Sequence, residues 1–234
     1  MKIDKTEIVN FFKKIRMDKD EKIEEAKFNF DTNGLKVLAT SNTKSTQVSA
    51  LLKPAAFKEY EKIGVVAIND LTNVQGVFDR FKGVITIKKS GNCMIVNGDN
   101  KKVDIELVSE QFLVNEKEPQ GLVFENEIII DSTTLKEIVA DIELNKEAEL
   151  IVTTGDKVVK FSNTGKYKFE TTLEAPLCKV GTVVKFGQAF IDATKNLNGM
   201  LKLHVGTNYP CKIVEESDIS TISIIIAPRI ADSE

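Results

Sequence analysis

Histidine and cysteine are scarce in this chain of 234 residues, and tryptophan is missing altogether. Because His204 is the single histidine, a catalytic triad or a multi-histidine metal site has only one such residue to build on. The three cysteines, Cys93, Cys178 and Cys211, are odd in number and show no CxxC spacing. This pattern favours neither a disulfide framework nor a zinc site, and it is typical of a reducing compartment.

Long apolar runs are also absent from the chain. No run reaches the length of about 18 residues that a membrane-spanning helix needs, and the first residues show no apolar signal segment. We therefore expect an unprocessed cytoplasmic protein that makes no membrane contact. The 32 basic and 35 acidic residues leave a net charge of −3. Any contact with nucleic acid must accordingly come from a local basic patch.

Motifs of enzyme chemistry are missing as well. The chain contains no GxGxxG, GxxxxGK[ST], HExxH or GxSxG sequence. It therefore shows no motif for a dinucleotide-binding site, a phosphate-binding loop, a zinc protease site or a nucleophile elbow. Paired acidic residues such as Glu24-Glu25 and Glu215-Glu216 are explained by surface charge, because neighbours on a strand point to opposite faces. The sequence therefore predicts a protein that is not an enzyme and holds no cofactor or metal.

What the chain does contain is an alternation of apolar and polar residues at period two, bounded by Asn-Gly, Gly-Asn or Gly-Asp pairs. This pattern predicts half-buried antiparallel strands. Four stretches instead carry apolar residues at helical spacing, namely Ile8, Phe11, Phe12, Ile15; Leu71, Val74, Val77, Phe78, Phe81; Leu135, Ile138, Val139, Ile142; and Phe190, Ala193, Thr194, Leu197. Four short helices among many strands make the predicted fold class α+β.

The two halves of the chain repeat the same order of helix, strands, helix and strands. Gly64-Val65-Val66 falls opposite Gly181-Thr182-Val183, and Cys93 falls opposite Cys211 at nearly the same offset. This correspondence indicates an internal duplication. Between the halves, a polar run with Pro119 and Gly121 is typical of a linker. We predict an N-terminal domain at 1–108, a connecting linker at 109–124 and a C-terminal domain at 125–234.

A helical wheel predicts which residues each helix turns to solvent. The first helix shows a basic face of Asn10, Lys13, Lys14 and Met17, with Arg16 at its border. The other faces are mixed in charge: Thr72, Gly76, Asp79, Arg80; Thr133, Glu137, Ala140, Asp141; and Gln188, Asp192, Lys195, Asn196. For any one helix, a solvated charged face is the ordinary explanation.

The end of the chain resembles a known family. Ile225-Ile226-Ala227-Pro228-Arg229-Ile230, followed by the acidic 231–234, is similar to the Leu-Ala-Pro-Arg/Lys-Val/Ile-Glu signature of proliferating cell nuclear antigen (PCNA)-type sliding clamps. Glu7-Ile8-Val9-Asn10, and Glu25-Ala26-Lys27-Phe28 leading into Asn33-Gly34-Leu35, resemble the first helix and hairpin of archaeal clamps. Gln47-Val48-Ser49-Ala50-Leu51 resembles the strand that follows. The resemblance covers essentially the whole chain.

This resemblance implies a homotrimeric ring around duplex DNA, in which each protomer has two similar clamp-type domains with antiparallel sheets outside and two helices inside. Such a clamp is a processivity factor, which tethers the polymerase and recruits the clamp loader and other replication and repair proteins. The location would be nuclear instead of cytoplasmic only in a eukaryote. Residues carried over as sequence-independent DNA contacts are Lys13, Lys14, Arg16, Arg80, Lys136 and Lys195.

The resemblance also implies a pocket for the PCNA-interacting peptide (PIP) motif of partner proteins. The matching positions are Val48, Ala50, Leu122, Phe124, Tyr209, Pro210, Ile225, Ile226, Ala227 and Pro228. Ring closure would pair 102–108 of one protomer with 166–173 of the next, with Ile105 and Phe169 at the subunit interface. Two alternatives stay open: one subunit of a heterotrimeric clamp, or an unrelated duplicated α+β binding module or enzyme without a DNA function.

Overall fold

A computed structural model describes residues 1–17, 21–145 and 149–229. Within these ranges the chain forms four α-helices and seventeen β-strands. It divides into two compact units, the first made of Met1–Asp18, Lys22–Glu118 and Glu216–Ile222, the second of Lys19–Glu21, Pro119–Glu215 and Ser223–Glu234. The main division falls inside the predicted linker. Ile230 and the acidic residues 231–234 of the family-like ending lie outside the described ranges.

The first unit contains two helices and nine strands. In chain order these are β1 Lys2–Asp4, α1 Lys5–Arg16, β2 Ala26–Asp31, β3 Gly34–Thr40, β4 Thr46–Leu52, β5 Phe57–Glu59, β6 Gly64–Ile68, α2 Leu71–Asp79, β7 Val84–Ser90, β8 Cys93–Gly98 and β9 Lys101–Glu106. One sheet has the order β5-β1-β7-β8-β9, and β4-β3-β2-β6 are neighbours in another. All of these pairings are antiparallel.

The C-terminal half of the chain, which carries the second unit and the Glu216–Ile222 segment of the first, repeats this plan. Its elements are β10 Asn126–Asp131, α3 Ser132–Glu143, β11 Leu150–Gly155, β12 Val158–Asn163, β13 Glu170–Glu174, β14 Thr182–Phe186, α4 Gln188–Thr194, β15 Met200–Val205, β16 Cys211–Glu216 and β17 Ser220–Ile226. The neighbour orders are β13-β12-β11-β14 and β10-β15-β16-β17. The predicted α+β class and the four helices are therefore confirmed.

Aspartates start three of the four helices. The side chain of Asp4 accepts a hydrogen bond from the Thr6 amide, Asp70 from the Asn73 amide and Asp131 from the Thr133 amide. Each bond satisfies one of the amides that the first turn of a helix leaves open, which stabilises the helix by about 1 kcal/mol. Gly187, which precedes α4, offers no such side chain.

The predicted apolar stripes face the cores. Phe12 of α1 stacks on Phe28 of β2 at a centroid distance of 4.9 Å and meets Phe78 of α2 edge-on at 5.3 Å. In the second unit, Phe186 of β14 stacks on Phe190 of α4 at 5.3 Å. Burying side chains of this kind contributes roughly 1.5–3 kcal/mol each. The helices are thereby fixed on their sheets with their polar faces outward.

Met17 does not lie on the exposed face of the first helix, as the wheel predicts, but is buried. The helix ends at Arg16, and Met17 adopts a positive φ of 53°, so its side chain leaves the helical period and turns into the core. Among the cysteines, Cys178 and Cys211 are buried and Cys93 is half-buried. No helix in the described part of the chain has the length and apolar character that crossing a membrane requires.

Candidate functional site

The basic residues of the first unit lie on the neighbouring helices α1 and α2. Lys13 and Arg80 are exposed, and Lys14 and Arg16 are half-buried. The Arg16 guanidinium donates a hydrogen bond to the Thr72 hydroxyl at 3.4 Å, which links the two helices. This bond brings the basic end of α1 beside the start of α2.

In the second unit, Lys195 is engaged by acidic neighbours. Its ammonium lies 2.9 Å from a Glu143 carboxylate oxygen on α3 and 3.2 Å from Asp192 Oδ1 on α4. Burial, the largest single influence, lowers the pKa of Lys195, but the hydrogen bonds and charges of Glu143 and Asp192 together raise it above its ordinary value. Lys136 reaches Asn198 at 3.4 Å. The positive charge of Lys195 is therefore offset by two carboxylates, in agreement with the mixed charge that the sequence predicts for these helices.

The structure corrects the predicted position of Asp192. The helical wheel places it on the exposed face, but its side chain is completely buried. Gln188, one turn earlier, donates to Asp192 Oδ1 at 2.9 Å, and Lys195 supplies the opposite charge. A buried carboxylate is tolerated only where such partners replace water.

Strand parity corrects three of the predicted partner-contact residues. Val48 and Ala50 of β4 and Ile226 of β17 are buried in the core. Successive strand residues face opposite sides of a sheet, so Gln47 and Ser49 of β4, and Ile225 of β17, hold the opposite face. Val48, Ala50 and Ile226 therefore belong to the cores beneath their strands and not to an exposed surface.

The first half of the linker lies along that face of the first unit. The Thr40 hydroxyl donates to the Glu116 carboxylate at 2.8 Å, the Gln47 side chain to the Lys117 carbonyl at 3.2 Å and the Ser49 hydroxyl to the Glu118 carboxylate at 2.7 Å. Each of these three strand residues therefore donates a hydrogen bond to a linker residue. The linker is consequently attached through polar contacts to β3 and β4.

The end of the linker packs on the second unit through aromatic rings. The Phe124 ring lies 5.7 Å from the Tyr209 ring and 5.6 Å from the His204 ring, measured between centroids. The Val123 amide donates to the Tyr209 hydroxyl at 3.4 Å. Two predicted partner-contact residues, Phe124 and Tyr209, are thus brought together. The other predicted positions in this unit, Leu122, Pro210, Ile225 and Pro228, are half-buried, and Ala227 is exposed.

His204 is the member of this cluster that sequence reasoning missed. Its place on β15 among alternating apolar residues indicates only a surface side chain. Across the sheet it pairs with Glu127 of β10, whose carboxylate lies 3.6 Å from Nδ1, and with Lys212 of β16. Burial lowers the pKa of His204; Glu127 opposes this effect, whereas Lys212 and Lys202 add to it. Together these influences favour the neutral imidazole.

The predicted interface strands β9 and β13 each end a sheet. In the first unit the Leu107 amide donates to the Asn92 carbonyl at 2.8 Å. Hydrogen-bonded and non-hydrogen-bonded residue pairs alternate along an antiparallel ladder. The backbone amide and carbonyl of Ile105 therefore point toward β8 and hydrogen-bond to it. The backbone groups that point away from the sheet are those of Lys102, Asp104 and Glu106.

The same reasoning applies to β13, where the Ala175 amide donates to the Lys157 carbonyl at 2.8 Å. By alternation, the backbone groups that face outward are those of Glu170, Thr172 and Glu174. Phe169 precedes the strand, and its amide donates to the Asn163 side chain at 2.9 Å. Both units therefore offer an open strand edge, but Ile105 and Phe169 use their own amides internally.

A scan against models of protein families finds no match. In sequence the chain is 23% identical over 245 residues to a DNA polymerase sliding clamp of Methanococcus vannielii, covering 94% of this chain and 95% of that relative. It is 24% identical over 246 residues to a DNA polymerase sliding clamp of Methanococcus maripaludis, with the same coverage.

Solved structures give the same likeness. A PCNA from A. fulgidus, in a complex described as the C-terminal region of FEN-1 bound to it, matches with a TM-score of 0.88 at 15% identity, covering 99% of this chain and 98% of that one. PCNA from Entamoeba histolytica matches with a TM-score of 0.83 at 17% identity, covering 98% of each chain. The PCNA2–PCNA3 complex of Sulfolobus tokodaii matches with a TM-score of 0.82 at 15% identity, covering 98% of this chain and 99% of that one.

The fold is accordingly that of the DNA clamps, an α+β chain in which the same helix-and-sheet plan occurs twice. The full-length likeness to curated DNA polymerase sliding clamps confirms the resemblance seen in the sequence.

Proposed function

We propose that this protein is a DNA sliding clamp, a non-enzymatic processivity factor that encircles duplex DNA and tethers a polymerase and other replication and repair proteins. The observation that carries this proposal is full-length likeness to sliding clamps in both sequence and fold. The absence of enzyme motifs from the sequence agrees with it. We further propose a cytoplasmic location and the domain limits 1–108 and 125–234 around the linker.

The DNA-facing surface that we propose is borne mainly by the first unit. Lys13, Lys14, Arg16 and Arg80 would meet phosphates without reading sequence. Lys136 and Lys195 remain in the proposed set, but Lys195 is already bonded to Glu143 and Asp192. A weak electrostatic attraction between each protomer and DNA fits a clamp that stays on DNA because its closed ring surrounds the duplex, and not because it binds the duplex tightly.

A loading assay tests this function. After loading by a clamp loader, the protein should remain on closed circular DNA and be lost when that DNA is linearised. The double variant Lys13→Glu/Lys14→Glu should load or stimulate synthesis less while keeping its circular dichroism spectrum. Equal loss of the wild type from circular and linear DNA would refute the proposal.

For partner binding we propose the apolar surface of Leu122, Phe124, Tyr209, Pro210 and the neighbouring ending Ile225, Ala227 and Pro228. The A. fulgidus PCNA in the FEN-1 complex supports the kind of ligand, a C-terminal region of another protein. A synthetic peptide of that FEN-1 region should bind the wild type and bind Tyr209→Ala less tightly in a calorimetric titration. Equal affinity for both proteins would remove Tyr209 from the surface.

We propose a homotrimer closed by β9 of one protomer against β13 of the next. Such pairing would satisfy both open edges, which otherwise promote aggregation. Three copies of 26.0 kDa predict a mass of about 78 kDa by light scattering. A mass of one protomer would indicate a heteromeric clamp that lacks its other chains, or the unrelated binding module or enzyme.

Proline substitution tests the edge pairing. Asp104→Pro removes an outward amide and should yield monomers with an intact fold, because proline is tolerated on an edge strand. Asp104→Ala, which keeps the amide, is the matched control and should stay trimeric. Ile105→Pro is less specific, since that amide belongs to the ladder with β8. A trimer formed by Asp104→Pro would contradict the assignment.

A further inference from the structure

Three rings hold the end of the linker on the second unit, and we call this set the aromatic latch: Phe124, His204 and Tyr209. The Phe124 ring contacts both others, at 5.6 Å and 5.7 Å between centroids, and the Tyr209 hydroxyl accepts the Val123 amide. The His204 ring is therefore one of the two rings that hold Phe124.

Each strand beside His204 places a charged group near the imidazole. Glu127 faces it from β10 with a carboxylate 3.6 Å from Nδ1, Lys212 faces it from β16, and Lys202 lies two residues earlier on β15. The linker brings the Phe124 ring and the loop before β16 brings the Tyr209 ring. The Glu125 carboxylate, next to Phe124, accepts a hydrogen bond from the Thr207 amide of that loop at 3.1 Å. Glu127 thus favours the charged imidazole, while two cations and burial oppose it.

A ligand that covers Phe124 and Tyr209 would take further water from the imidazole. Removing water penalises the charged form, so the bound complex should protonate at lower pH than the free protein. By thermodynamic linkage, the proton must then weaken ligand binding by the same factor. Protonation is expected to weaken binding because His204 lies beside Phe124, where a bound ligand would exclude water from the imidazole.

We infer that His204 is a positioning residue for the partner-binding surface, and that its protonation weakens the binding of partner peptides by releasing Phe124 from the aromatic latch. This inference rests on the proposed function of that surface. It assigns a role to the one histidine of the chain, which lies beside the partner-contact residues and not among them.

The chain itself supplies a clean measurement, because a single histidine gives a single imidazole signal. Proton NMR of the untagged protein between pH 4.5 and 8.5 gives the His204 pKa, with and without a saturating synthetic peptide of the FEN-1 C-terminal region. We expect the peptide to lower this pKa by half a unit or more. The peptide Kd should then rise between pH 8 and pH 5.5, and for a half-unit shift the rise is at most about threefold.

Two variants separate positioning from simple structural support. His204→Gln keeps a polar, neutral side chain and should bind the peptide at pH 8 with a Kd that changes less between pH 8 and pH 5.5 than that of the wild type. Phe124→Ala exposes the imidazole to water and should raise the His204 pKa in the free protein. Circular dichroism at pH 5.5 confirms that each protein stays folded.

The outcomes are distinct. Absence of peptide binding at pH 8 would refute the partner surface, and this inference with it. Binding at pH 8 with an unchanged His204 pKa, or with the same pH dependence in His204→Gln as in the wild type, would overturn the inference alone and leave the proposed function standing.

Discussion

Replacing Lys195 by methionine should destabilise the second unit, because the substitution leaves a buried carboxylate without its cation. The Asp192 side chain has no exposed surface, whereas that of Lys195 is 29% exposed. Removing one partner of a fully buried ion pair costs about 3–5 kcal/mol. Solvent reaches Lys195, and Gln188 keeps its hydrogen bond to Asp192, so we expect a loss of about 2–3 kcal/mol.

Urea unfolding followed by circular dichroism measures this loss. The double variant Asp192→Asn/Lys195→Met should recover most of the stability, since the amide removes the buried charge that lysine neutralises. Lys136→Met on α3 is the matched control and should change stability by less than about 0.5 kcal/mol. Equal midpoints for Lys195→Met and Lys136→Met, or no recovery in the double variant, would refute the reasoning.

The pH dependence of this contribution has a definite sign. The pKa of Lys195 is raised in the folded protein, so the proton is held more tightly there than in the unfolded chain. Its contribution to stability is therefore fully present below the ordinary lysine pKa of 10.5, and it is lost as pH rises through the raised value. The difference between wild type and Lys195→Met should thus be constant from pH 7 to pH 9.

Two further changes test local geometry. Asn126→Ala should cost about 2–4 kcal/mol and speed hydrogen exchange in the loop before β14, because the Asn126 side chain bonds to Thr154 and to that loop's backbone. Gly34→Ala should lower the urea midpoint, since Gly34 has a φ of +124° and a Cβ there would lie 2.2 Å from the Leu52 carbonyl oxygen. The control Gly76→Ala, with open space around it on α2, should raise the midpoint slightly, and a drop as large as that of Gly34→Ala would contradict the argument.

Local sequence determined the elements of this protein. Apolar spacing alone located all four helices and most strands, because the period of side-chain direction follows from backbone geometry. Aspartates at positions 4, 70 and 131 mark the helix starts for an equally local reason. The repeated plan and the family-like ending then made the clamp fold predictable.

Strand parity of the partner-contact residues follows from the sequence alone. Val48 and Ala50 alternate with Gln47 and Ser49, so the buried side of β4 follows once the apolar residues are assigned to the core. By the same alternation, Ile226 of β17 is buried in the core and Ile225 faces the other side of the sheet. The resemblance to clamps indicated the correct strands but not the faces that they turn outward.

Tertiary structure alone decided which distant groups meet. The 100° wheel places Asp192 and Lys195 on one face, but the packing of α4 buries the first and brings the second to Glu143 of α3. His204 meets Phe124, Tyr209 and Glu127 only because β10, β15 and β16 are neighbours and the linker ends beside them. Such contacts join residues far apart in the chain, and local periodicity carries no information about strand order or linker path. The sequence therefore determined the helices and strands and the resemblance to clamps, whereas packing determined which charges are available and which rings hold the linker.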